Sequence, residues 1–153
     1  MRSILAILRR LATLSLGDYL LLGETLIAVT VASLAIRLLP FRIVVALAQL
    51  PLSAPSPTPE SRRASRARIR WSVSACARGL PWHPMCFPQG LAAQWLLRRR
   101  GIPSILHYGA APDPVKGVIA HVWVCDDDIA VVGGAAAQGM ALLARFPAQD
   151  SSS

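Results

Sequence analysis

The stretch Cys86-Phe-Pro-Gln-Gly-Leu-Ala-Ala-Gln-Trp-Leu-Leu-Arg-Arg-Arg-Gly101 decides how the chain reads. Pro88 suits the first turn of a helix, where its missing N–H leaves no bond unmade. Leu91, Trp95 and Leu96 follow at helical spacing, and Ala92 and Ala93 are strong helix formers. Arg98, Arg99 and Arg100 fall in the last turn, where positive charge meets the negative end of the helix dipole. Gly101 fits the residue just past the helix, and Pro103 blocks continuation. Cys86 is thereby placed at the positive end of a helix dipole, which stabilises a thiolate. That is a seat for a nucleophile, and equally a place for a small packed residue.

The chain has 153 residues and a formal net charge of +8, and 54% of its residues are hydrophobic. The length suffices for one domain of ordinary size. Fifteen of the sixteen basic residues are arginine, in clusters. Composition alone leaves nucleic acid, anionic lipid and an acidic peptide open as partners. The cysteines are Cys76, Cys86 and Cys125. An odd count without paired spacing argues against a disulfide framework and for a reducing, cytoplasmic compartment. No Cys/His pattern for a metal is visible, and no cofactor is expected.

Working outward toward the N-terminus, Leu80-Pro-Trp-His-Pro-Met85 reads as a loop that delivers the chain to Cys86. Trp82 is a candidate for the wall of a substrate groove, and His83 lies too close along a proline-bound loop to turn back as a base. Arg62 to Arg78 reads as a basic helix, either a solvated face or a docking strip for an acidic peptide. Cys76 in it reads as a packed small residue. Residues 51–61 hold four prolines and three serines and read as a linker. Ahead of it, residues 1–50 read as an apolar helical module: a short amphipathic helix over 2–12, a second over 18–38 begun by Asp18, and a third over Phe41 to Leu50. No clean targeting signal is present, since Arg9 and Arg10 break the first apolar run. Thr25 to Ile36 is apolar for only 12 residues between Glu24 and Arg37. A spanning helix wants about 20. Residues 18–38 are therefore expected to be buried or to meet a partner or a membrane surface, rather than to cross it.

After Gly101 the period changes to two. Ser104 to Tyr108, Val118 to Cys125 and Ile129 to Val132 read as strands of a β-meander, with a loop over 109–117 and Asp126, Asp127 and Asp128 as the turn. Residues 135–146 read as a weak helix or irregular segment, and 148–153 as a disordered tail. Alternation places His121, Trp123 and Cys125 on one face of the central strand, and Trp123 joins Trp82 as a substrate-groove candidate. A strand histidine following a helix-seated cysteine is the arrangement by which a thiol gains a base, though a lone strand histidine also serves structure.

The set Cys86 to Pro103, Ala120-His-Val-Trp-Val124 and Val131-Val-Gly-Gly134 resembles the transglutaminase-like cysteine peptidase of lasso-peptide biosynthesis, in particular the stand-alone peptidase half of the B maturation protein. Leu80-Pro-Trp82 and Leu38-Leu-Pro-Phe-Arg42 also fit. The resemblance is strong over residues 76–146 and weaker over the N-terminal helices. It implies an α+β, papain/transglutaminase-like core over 62–147, with the nucleophile helix packed on a small antiparallel sheet behind the helical module. It implies that Cys86 and His121 remove the leader from a ribosomally made precursor peptide. It implies a separate leader-recognition protein and an ATP-dependent lasso cyclase as partners, and no nucleic acid. A non-enzymatic adaptor or membrane-peripheral scaffold is the alternative. Gln89 is a further donor for the oxyanion beside the Cys86 N–H. One departure stands out. The family commonly places an aspartate about a dozen residues after the histidine, and that seat is Gly133 or Gly134 here. Asp126 to Asp128 lie roughly 16 Å or more along the strand from His121. A backbone carbonyl or Gln138 is left to orient the ring, and the third member of a triad is unassigned.

Overall fold

The computed structural model describes residues 14–49 and 54–147. Among them are four α-helices, α1 (Leu16–Leu38), α2 (Phe41–Ala48), α3 (Pro59–Gly79) and α4 (Cys86–Arg99). Four strands follow, β1 (Ile105–Asp113), β2 (Gly117–Asp126), β3 (Ile129–Val132) and β4 (Ala141–Phe146), with a 3₁₀ turn over Gly134–Ala137. The strands form one antiparallel sheet in the order β3-β2-β1-β4. The expected helix over 2–12 and tail over 148–153 lie outside the described residues.

Helix α4 is the centre of the packing. Leu91, Ala92, Ala93, Leu96 and Leu97 are buried, and all but Ala92 join Ile69 and Val73 of α3 and Leu106, Val122, Val124 and Val131 of the sheet in one hydrophobic cluster. Gly90 lies flat on the sheet: a Cβ there would come within 2.6 Å of Val122 Cγ1 and 3.6 Å of Val124 Cγ2. Two polar side chains fasten the helix. Gln94 Nε2 donates to the carbonyls of Ser104 and Phe146 at 3.2 and 2.6 Å, and Trp95 Nε1 donates to the Leu47 carbonyl at 2.9 Å.

The helices ahead of residue 51 are not a module with a core of their own. Ala32, Val44 and Ala48 belong to the same buried cluster as α4, and Thr25 Oγ1 bonds Ser72 Oγ on α3 at 2.9 Å. Arg99 and Arg100, at the end of α4, hold Glu24 of α1 at 3.3 and 2.6 Å. The arginine triplet thus ties two helices together besides meeting the helix dipole. α1 begins two residues before Asp18. Ser15 is its N-cap, and Asp18 closes the capping box from the third helical position. That bonding, chiefly with Ser15, holds the Asp18 carboxyl below its usual range.

The expected linker ends sooner than its composition suggests. Thr58 caps α3 and Pro59 begins it, as proline can at a first turn. Ala54 and Pro55 turn their carbonyls onto Gly101, whose φ of +69 and missing side chain admit them.

The basic helix keeps a solvated side, with Arg63 and Arg68 exposed, but part of its charge is engaged with the sheet. Arg62 and Arg66 both grip Asp126, which is fully buried at the end of β2. Arg62 also reaches Asp127 at 2.8 Å, and Arg70 donates to the carbonyls of Val131 and Ala130. Asp126 is therefore more than a turn former. Its carboxylate anchors the β2–β3 hairpin to α3, and the bond to it raises the Arg62 pKa.

Two differences concern strands. β1 runs on through the expected loop as far as Asp113. Residues 141–146 form β4, although Ala-Leu-Leu-Ala reads as helix. The free edge of β1 decides it, since Leu106, His107 and Tyr108 pair with Phe146, Arg145 and Ala144. Removing the charge of Asp126 takes from Arg62 and Arg66 the buried carboxylate that they share. Asp126→Asn is expected to cost about 3 kcal/mol of unfolding free energy, and the exposed Asp127→Asn less than about 1. Urea denaturation of both variants checks the difference.

Candidate active site

Cys86 is the first residue of α4, free and half-buried. Met85 precedes it as N-cap without a side-chain cap bond. The approach loop is drawn in by Gln89, whose Nε2 donates to the Pro84 carbonyl at 2.7 Å. One N–H of the Gln89 amide is thus spent on the loop that sets Cys86. Trp82 and His83 stand exposed on the outer turn of that loop. His83 has a φ of +41, a conformation non-glycine residues seldom take.

β2 presents two faces. Val122 and Val124 are buried and lie against Gly90 of α4. His121, Trp123 and Cys125 alternate to the other face and are half-exposed. The imidazole of His121 is tethered: Nε2 lies 2.8 Å from the Gly133 carbonyl. A carbonyl only accepts, so Nε2 carries the proton and Nδ1 is left as the acceptor of the neutral ring. Gly133 is positioned for this by a left-handed backbone, φ +79. A Cβ at Gly133 would stand 2.5 Å from the Val122 carbonyl oxygen and 3.1 Å from His121 Nε2. Of the two candidates for orienting the ring, the backbone carbonyl holds it, while Gln138 is exposed beyond the 3₁₀ turn.

Trp123 stacks on both imidazoles of this face. Its ring lies parallel to His107 at 5.3 Å and to His121 at 6.4 Å. Gly109 on β1 leaves room for it, since a Cβ there would meet Trp123 Cη2 at 2.8 Å. His107 was not singled out from the sequence, although the pairing of His107 with Trp123 in the β1–β2 register makes the stack. Its Nδ1 is buried with no hydrogen-bond partner among the described residues, and burial, with help from Arg145, lowers its pKa. Burial raises the thiols of Cys76 and Cys125, the latter also through Asp128. Among the described residues no group of His, Cys, Asp and Glu is gathered to hold a metal.

The structure packs α4, which begins at Cys86, on the Val122/Val124 face of β2, while His121 alternates to the other face, and among the described residues no hydrogen bond joins Cys86 and His121. The one side-chain hydrogen bond of His121 among the described residues is the tether to Gly133. Asp126 cannot join His121: it lies on the opposite face and is held by Arg62 and Arg66.

A family model of the transglutaminase-like superfamily matches residues 26–144. The chain belongs to the transglutaminase-like superfamily. The match begins inside α1, at residue 26, and takes in the rest of α1 and all of α2, α3 and α4, with the sheet as far as residue 144. A transglutaminase-like fold is typical of cysteine proteases and transglutaminases. No curated protein and no solved structure compared with the chain matches it.

Gly133 and Gly139 have nearly the same backbone, φ +79 and +77, but a Cβ at Gly139 would meet nothing within 4 Å. Gly139→Ala is expected to cost only the left-handed strain, about 1–2 kcal/mol. Gly133→Ala adds the collision with Val122 and should cost more and displace the His121 tether. Denaturation of the two variants checks the order, and equal losses would contradict it.

Proposed function

We propose that this chain is a cysteine peptidase that removes the leader from a ribosomally made lasso-peptide precursor. The observation that carries the reading is the placement of Cys86 as the first residue of the buried helix of a transglutaminase-like domain, packed on the strand that bears His121. The family supplies the coarser chemistry. The finer assignment rests on the motif set around Cys86, His121 and Gly133 and on its resemblance to the stand-alone peptidase of the B protein.

In the proposed reaction, the Cys86 thiolate attacks the carbonyl carbon of the last leader residue. A C–S bond forms, and the oxyanion turns toward the Cys86 N–H at the helix start. The peptide C–N bond breaks as the imidazolium of His121 gives its proton to the departing amine. Water then attacks the thioester while the neutral imidazole takes its proton, and the C–S bond breaks to return the thiolate. Proton transfer requires Nδ1 of His121 to come within about 2.6–3.2 Å of its partner, directly or through one water. The Gly133 carbonyl fixes the tautomer that this role needs, the task an aspartate commonly has in the family. Trp123 holds the ring plane, and Trp82, exposed on the loop before Cys86, is the proposed wall of the substrate groove.

The partners follow from the same reading: a separate leader-recognition protein that presents the precursor, and an ATP-dependent cyclase that closes the ring on the freed amine. Three free cysteines suit a reducing, cytoplasmic setting. The test is mass analysis of a precursor peptide incubated with the full chain and its recognition partner. Cleavage between leader and core is expected, and Cys86→Ala and His121→Ala should each lower its rate on the order of 10³-fold or more. Undiminished cleavage by Cys86→Ala would sink the reading and leave the adaptor role. Loss with Cys86→Ala but not with His121→Ala would keep the nucleophile and reject the base.

A further inference from the structure

α1 has two apolar faces and uses one. Leu21, Thr25, Val29, Ala32 and Ala35 are buried. The opposite side carries Leu16, Leu20, Ile27, Val31, Leu34 and Leu38 to the surface, with Leu20, Ile27 and Leu38 exposed to 68%, 67% and 74%. These residues recur at intervals of three, four and seven, so they lie along one stripe of the helix. Gly23 falls within the stripe and has open space where a side chain would be. Leu39 and Phe41 extend the apolar surface past the end of α1.

By length and composition α1 could cross a bilayer, but its other side is engaged. Thr25 bonds Ser72, and Glu24 is held by Arg99 and Arg100. Crossing would tear out those bonds and the core behind them. The charges around the stripe are of one sign. The two acids of α1 are already taken, Asp18 by Ser15 and Arg68, Glu24 by Arg99 and Arg100. Arg37 and Arg42 stand exposed at the C-terminal end, with no ion pair among the described residues. The chain as a whole carries +8. A second copy would offer the same arginines and the same net charge. A bilayer containing anionic lipid offers both what an apolar stripe needs and what free arginines need.

We propose that the outer face of α1 docks the protein on an anionic membrane surface, with the helix lying in the interface rather than spanning it. The stripe sinks into the headgroup–acyl boundary, and Arg37 and Arg42 meet the lipid phosphates. The proposal uses no residue of the candidate active site and stands apart from the peptidase reading.

Flotation of the full chain with vesicles of phosphatidylcholine, with and without phosphatidylglycerol, tests it. The chain should float with the anionic vesicles and much less with the neutral ones. Ile27→Glu combined with Leu34→Glu should lower the bound fraction at least tenfold while the far-ultraviolet dichroism is unchanged. Arg37→Gln and Arg42→Gln should each weaken anionic binding by about fivefold. A chain that stays unbound with both vesicles, or that binds both equally, overturns the proposal. So does dimerisation seen by light scattering, abolished by the Ile27/Leu34 variant, in a chain that does not float: that result assigns the stripe to a second copy.

Discussion

Gly90 lies against Val122 and Val124 with no side chain between helix and sheet. A glycine inside a helix costs roughly 1 kcal/mol relative to alanine. Here the alternative is worse, because a Cβ 2.6 Å from Val122 would push α4 off the sheet. The contact sets the height of α4 above β2, and the height places Cys86, one turn earlier. Everything else in the fold surrounds that seating. α1 and α3 cover the helix from behind, Gln94 pins it to Ser104 and Phe146, and the arginines of α3 hold the far end of β2 through Asp126.

Where the resemblance implies an aspartate, this chain has Gly133, and the proposed mechanism gives its backbone carbonyl the task of orienting His121. The Gly133 carbonyl accepts from His121 Nε2 and so selects the tautomer and the ring position. It brings no negative charge. A neutral acceptor gives a weaker bond to an imidazolium than a carboxylate does, so orientation survives and charge compensation is lost. Trp123 adds a second constraint on the same ring by stacking. Both devices need glycine, at Gly133 for the left-handed turn and at Gly109 for room beside the indole.

Much of this was legible in the sequence because it is local. Pro88, Gly101 and the arginine triplet bound α4 within a residue or two. Period two marked β2 and β3, and it sorted His121, Trp123 and Cys125 from the valines. What escaped depends on residues far apart in the chain. Charge patterning could not see that Arg62 and Arg66 belong to an aspartate some sixty positions on. Helix-forming Ala141-Leu-Leu-Ala144 became strand because β1 had an open edge, which no local propensity records. Gln89 looked free at a helix start, and its bond to Pro84 depends on how the loop folds back. The stack of His107 on Trp123 required the β1–β2 register.

The central proposal is that His121 activates the Cys86 thiol, whereas burial raises the pKa of the other two cysteines. Rates of iodoacetamide alkylation, read cysteine by cysteine from peptide masses, test it in the folded chain. The account predicts that Cys86 reacts well ahead of Cys76 and Cys125, and that His121→Asn slows Cys86 alone. Equal rates at the three thiols, or a Cys86 rate indifferent to His121→Asn, would contradict it.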